Sequence, residues 1–117
     1  MNSYIAVALG GAIGATLRFA VSEWIGNPQG TLAVNAVGSL LLGVCMAALA
    51  SEMISKELTL LLGTGILGAF TTMSTFSVET IEMWSDDSSK AIGYVLLTMF
   101  LCPLLALAGW KAFEATV

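Results

Sequence analysis

Apolar residues run almost unbroken through four stretches, roughly Tyr4–Val21, Thr31–Ala50, Leu58–Val78 and Ala91–Phe113, with polar residues gathered between them. At about 1.5 Å rise per residue each stretch would reach about 27–35 Å as a helix, enough for a hydrocarbon core of about 30 Å. The pattern predicts an all-α membrane protein, four transmembrane helices forming a single domain over residues 1–117. The first stretch lacks the basic leader of a signal peptide and is followed by three comparable spans, so it reads as a permanent helix. The expected connections are short: Glu23–Gly30, turning through Asn27-Pro28, then Ser51–Glu57 and Trp84–Lys90. Trp24, Trp84 and Trp110 all fall near predicted span ends, where interfacial aromatics belong.

Composition makes the same case. Only 10% of the 117 residues are charged and 57% are hydrophobic, whereas soluble domains carry about 25% charged residues. The charges lie between the stretches or at their ends, except Arg18, which is nearest a membrane interior. The net charge of −4 and the lack of a basic patch exclude nucleic acid as a partner. Cys45 and Cys102 fall inside spans, without CxxC spacing and in a chain that has no histidine, so they read as small packing residues. No catalytic triad or nucleophile–base pair can be assembled, which argues against an enzyme.

Charge also bears on orientation. Lys56 and Lys111 would lie on the side of the termini, Lys90 and Arg18 on the other, a tie under the positive-inside rule. Either the cell overrides a weak bias, or copies insert in both senses and pair antiparallel. A chain this small is too slight to enclose a polar pathway alone, which favours a dimer.

Polar residues inside the spans are few and spaced. Gly10, Gly14 and Arg18 share one face of span one, where small residues admit a neighbouring backbone. The guanidinium stays charged, so it must snorkel, pair or line an aqueous vestibule. Asn35, Ser39 and Gly43 repeat the spacing in span two, and the Asn35 carboxamide must bond either another helix or a ligand. Span three runs from Gly63-Thr64-Gly65 and Gly68 into Thr71-Thr72-Met73-Ser74-Thr75-Phe76-Ser77. Five hydroxyls in seven residues suit a broken helix near Gly68–Thr75 that exposes main-chain ligands, although a kinked structural helix would also use them. Tyr94, Thr98 and Cys102 make a weak polar stripe on span four, before Pro103. Glu79 and Glu82 read as the end of span three, leaving no carboxylate near mid-span. The lining would then be hydroxyls, an amide, aromatic edges and backbone, which suits passive passage of a small anion better than a proton-driven pump.

Three motifs together resemble the Fluc (CrcB) fluoride channels: Gly10-Gly11-Ala12-Ile13-Gly14-Ala15 with Arg18-Phe19, Thr31-Leu32-Ala33-Val34-Asn35 with Gly38-Ser39, and Gly68 through Glu79. The resemblance covers essentially the whole chain. It implies a fluoride-selective passive channel in the cell inner (plasma) membrane, an antiparallel dual-topology homodimer with a broken third helix and two pores at the interface. It places Asn35, Met73, Ser74, Thr75, Phe76, Tyr94, Thr98 and Cys102 on the fluoride pathway and Arg18 in a vestibule. It further implies a structural sodium ion (Na+) at the dimer interface, held by the carbonyls of Gly68 and Thr71. Met73 departs from the family pattern, which has phenylalanine there and a ring edge that methionine lacks. Cys102 is likewise a poorer donor than a hydroxyl. The competing readings are a small multidrug-resistance-like exporter, which would need an embedded glutamate, and a noncatalytic assembly subunit held by its glycine faces.

Overall fold

The computed structural model describes residues 2–117, and four of its helical runs are long and apolar enough to cross a membrane. Helix α1 is Ser3–Ile25 and α2 is Gln29–Ala50. The third run begins with Lys56–Thr59, widens into a π-helix over Leu60–Leu67 and returns to α-helix for Gly68–Phe70; these three pieces together are α3. After Thr71 and Thr72 come α4, Met73–Asp86, and α5, Ser88–Thr116.

Local chemistry sets these limits. Four helix starts carry a side-chain cap for an orphan N–H. Asn2 accepts from the Tyr4 N–H, Ser55 from Leu58, Thr72 from Thr75 and Asp87 from Ser89. At its other end α1 stops at Gly26, whose φ of 86° favours glycine and whose N–H donates to the Ser22 carbonyl. The expected loop Trp84–Lys90 shrinks to Asp87 alone, because one aspartate both follows α4 and caps α5. Pro103 does not interrupt α5, which runs on to Thr116.

Glycine decides how the helices cross. The most extensive packing joins α2 to α5, and α1 to the π-helical part of α3. A Cβ on Gly10 would collide with the Leu61 carbonyl and one on Gly14 with the Ile66 carbonyl; on the other pair, Gly43 faces Ala106 and Gly109 faces Leu40 in the same way. With so little apolar driving force between helices in lipid, such close backbone contact is what holds them. Beside Gly10 and Gly14, the exposed residues Ile5, Leu9, Ile13 and Leu17 form an apolar stripe on α1.

Gly14→Ala should therefore destabilise the bundle by about 1–3 kcal/mol through overpacking, read as a lowered unfolding midpoint in detergent. Gly11→Ala is the control. Nothing lies within 4 Å of its Cβ position, so it should be neutral or slightly stabilising.

Candidate ion pathway

Thr71 (φ −87°, ψ 157°) and Thr72 (φ −151°, ψ 119°) are extended, so the main-chain groups around them lose helical partners. Other elements supply replacements. Asn35 on α2 donates from Nδ2 to the Thr72 carbonyl at 3.1 Å and accepts the Thr72 N–H on Oδ1 at 2.8 Å. The half-buried Arg18 donates from Nε to the Ala69 carbonyl at 3.0 Å. It thus reaches α3 one turn beyond the glycine contacts of the same stripe. Thr71 turns its hydroxyl back to the Leu67 carbonyl at 3.1 Å, and the Thr71 N–H donates to that oxygen as well.

A cleft of about 330 Å³ opens between α2, α4 and α5 beside this segment. It is lined by Asn35, Thr71, Met73, Phe76, Thr98 and Cys102 among others. Thr98 is 6% exposed, and its hydroxyl is the buried side-chain polar atom left without a partner among the described residues. A buried hydroxyl without a partner is costly, which marks this wall as a place for a polar guest.

The other expected residues point elsewhere. Ser74 and Thr75 line a separate cleft of about 440 Å³ with Glu79 and Glu82, and Thr75 also borders a small one beside Arg18. Both hydroxyls cluster about Thr72 Oγ1, at 3.3 Å for Ser74 and 3.2 Å for Thr75. Tyr94 is buried behind Phe76, with ring centroids 5.1 Å apart and planes tilted by 56°. Its hydroxyl does not face the 330 Å³ cleft with a free proton; it donates to Glu79 Oε1 at 2.8 Å.

Glu79 stands toward the end of the third span, as expected, but buried, level with Thr31 near the start of α2. It lies midway along α4, is 7% exposed, and also accepts the Thr31 hydroxyl on Oε2 at 2.8 Å. The reason is helical phase: Glu79 sits three residues after buried Phe76, on the same inward face. Two donors satisfy it, one on α2 and one on α5. The sequence held a usable sign, because Thr31 extends the stripe of Asn35, Ser39 and Gly43 by one further step of four.

For a hard cation the chain offers main-chain oxygen. No group of three or more His, Cys, Asp or Glu side chains converges among the described residues. Gly68 is exposed, and its carbonyl receives the Thr71 hydroxyl only at 3.4 Å, too long for a strong bond. Carbonyl donors of this kind fit a hard monovalent cation.

Comparison with known proteins gives one family. The model described as "CrcB-like protein, Camphor Resistance (CrcB)" matches residues 5–110. A protein of Oceanobacillus iheyensis named fluoride-specific ion channel FluC is 44% identical over 117 residues, covering 93% of this chain and 89% of that protein. Those of the same name from Thermotoga petrophila and Thermus thermophilus are 43% and 39% identical, covering 82% and 100% of this chain and 82% and 98% of theirs. With four membrane-spanning helices and a family match over almost its full length, the chain is a multi-pass membrane protein belonging to the CrcB family.

Proposed function

We propose that this chain is a passive fluoride-selective channel, not an enzyme, that lets fluoride out of the cell across the inner (plasma) membrane. Its relatives carry the name fluoride-specific ion channel. The observation that carries the reading in this chain is the cleft where Asn35, Phe76 and the unpaired Thr98 hydroxyl meet beside an extended main chain. Fluoride surrenders water only to strong donors. Asn35 spends one amide N–H on Thr72 and keeps another; Thr98 offers its O–H, and the Phe76 ring presents a partially positive edge. Cys102 adds a weak donor on the same wall, and Met73 an apolar, polarizable one. Tyr94 contributes its ring and Glu79 its hold on the Tyr94 hydroxyl, while Ser74 and Thr75 serve the neighbouring cleft and Arg18 a positive entrance.

The same reading takes Thr71–Thr72 as a break within one membrane span, and the working unit as an antiparallel dual-topology homodimer with two pores. Ser74, Ser77, Thr64 and Gly68 are exposed on the single chain, and hydrocarbon is a poor environment for them. A second copy covers them and makes up the rest of the lining. Sodium would be held by the Gly68 and Thr71 carbonyls of both copies, neutralising oxygen dipoles that lipid cannot. The exporter reading requires an embedded glutamate, typically in the first helix, and α1 has none before Glu23; because Glu79 is buried on α4, the decisive measurement must still separate conduction from proton coupling.

In liposomes, fluoride efflux through a passive channel should require a potassium ionophore to carry compensating charge, and chloride should pass about a hundredfold more slowly or less. Efflux that proceeds without the ionophore would favour proton coupling, and equal chloride flux would remove fluoride selectivity.

Thr98→Val keeps the side-chain shape and removes the hydroxyl. Fluoride flux should fall about tenfold, the worth of one hydrogen bond of about 1.4 kcal/mol, with the unfolding midpoint unchanged or raised. Asn35→Leu should instead cost about 1–3 kcal/mol of stability for each Thr72 group left unpaired. Unaltered flux in Thr98→Val would take that hydroxyl off the pathway.

For topology, Thr116→Cys in a cysteine-free background should be labelled by an impermeant thiol reagent from outside intact cells in about half of the copies. Complete labelling, or none, would replace dual topology with a single orientation.

A further inference from the structure

Three sulfur side chains line the 330 Å³ cleft. Met73 opens α4, Met99 and Cys102 stand three apart on α5, and all line the same walls. They are not packing residues in the sense that Cys45 is. Cys45 is 8% exposed between helices, whereas Met73 is 65% and Met99 52% exposed on the single chain, and Cys102 is half-buried. The same cleft holds the one buried side-chain polar atom without a partner among the described residues, the Thr98 hydroxyl, one turn from Cys102. A wall of thiol and thioether beside an unmet hydroxyl has a ligand chemistry of its own, different from that of the fluoride donors.

We propose that this cleft binds a soft monovalent cation of the Cu+ or Ag+ class through the Cys102 sulfur and the thioethers of Met99 and Met73, and that the bound ion closes the pathway. The second half rests on the channel reading above; the first does not. Thiolate and thioether are the ligands that select such ions over hard ones. Binding replaces a proton: the Cys102 S–H bond breaks, an S–Ag or S–Cu bond forms, and the proton leaves to buffer. Neutral thiol becomes neutral metal thiolate. The site therefore gains no net charge, which removes the main cost of placing a cation in a low-dielectric cleft. The two thioethers complete the coordination without adding charge, and the exposed Met73 side chain lines the same cleft.

The probe is Ag+, as silver nitrate in chloride-free buffer, on the purified full chain carrying Cys45→Ser. This chain should take up about one Ag+ with release of a proton, seen by calorimetry in buffers of different ionisation enthalpy. Met73→Leu with Met99→Leu should weaken binding about tenfold or more while a maleimide still labels Cys102, and Cys102→Ser should weaken it further. Unchanged affinity in the double methionine variant would reduce the site to a single reactive thiol and overturn it. So would retention of the Ag+ by Cys102→Ser. In liposomes, Ag+ should stop fluoride efflux and added thiol should restore it; efflux that continues with silver bound overturns closure. Silver bound at Cys102 in a chain that never conducts fluoride would leave the metal site standing and remove the channel reading instead.

Discussion

One carboxamide paired with both main-chain groups of one residue underlies the rest of the molecule. A helix in lipid supplies every main-chain group from within, and a peptide that leaves the helix loses that supply at a cost of about 2–7 kcal/mol per unpaired group. Asn35 answers both groups of Thr72, donating to its carbonyl and accepting from its N–H as another peptide would. Gly38, three residues along the same helix, supplies the room: a Cβ there would run into Thr71 Cγ2. Bonds come from one position of α2 and space from the next. Arg18 of α1 takes the carbonyl of Ala69, at the end of the helix that precedes the extended pair.

The chain beyond Thr72 depends on that anchor. With Thr72 fixed, its hydroxyl caps α4 by accepting the Thr75 N–H, and the cap sets the rotational phase of the new helix. Phase then sorts side chains by face. Phe76 and Glu79 turn inward, Met73 faces the cleft toward α5, and Ser74 lines the separate one with Glu82. Glu79 closes the arrangement by joining Thr31 of α2 to Tyr94 of α5. A buried carboxylate is tolerable only with donors on its oxygens, and here each oxygen has one.

Much of this is legible in the residues, and the failures have physical causes. Four apolar runs of the right length become four membrane-crossing runs, the third shared by α3 and α4, and the four-residue stripe of Gly10 and Gly14 lies at the α1–α3 crossing as small-residue spacing suggests. Asn35 stands out as a group needing partners. Its partner does not, because Thr72 contributes main chain, which carries no sequence signal. The burial of Glu79 is missed by counting from the end of an apolar run, which ignores phase: a new helix begins at Met73, and its inward face decides burial. The π-helix over Leu60–Leu67 leaves no mark either, since leucine and glycine at those positions suit an ordinary helix equally well.

A count of hydroxyls also overstates how polar the lining is. Ser77 donates to the Met73 carbonyl and Thr80 to the Phe76 carbonyl, both within α4, while Ser74, Thr72 and Thr75 engage one another. Tyr94 and Thr31 are committed to Glu79. Beside the cleft, that leaves the Thr98 and Ser39 hydroxyls, the weak Cys102 S–H, one amide proton of Asn35, and ring edge. A small anion coming out of water gives up several hydrogen bonds at once, and so few donors cannot replace them. On the channel reading, the shortfall requires either that water travels with the ion or that a second copy turns donors toward the same cleft. The cleft lies open on the side of Met73 and Met99, both exposed, so the missing wall is where a partner would meet it. The incompleteness of one chain's lining is thus itself a physical argument for a pathway shared between two.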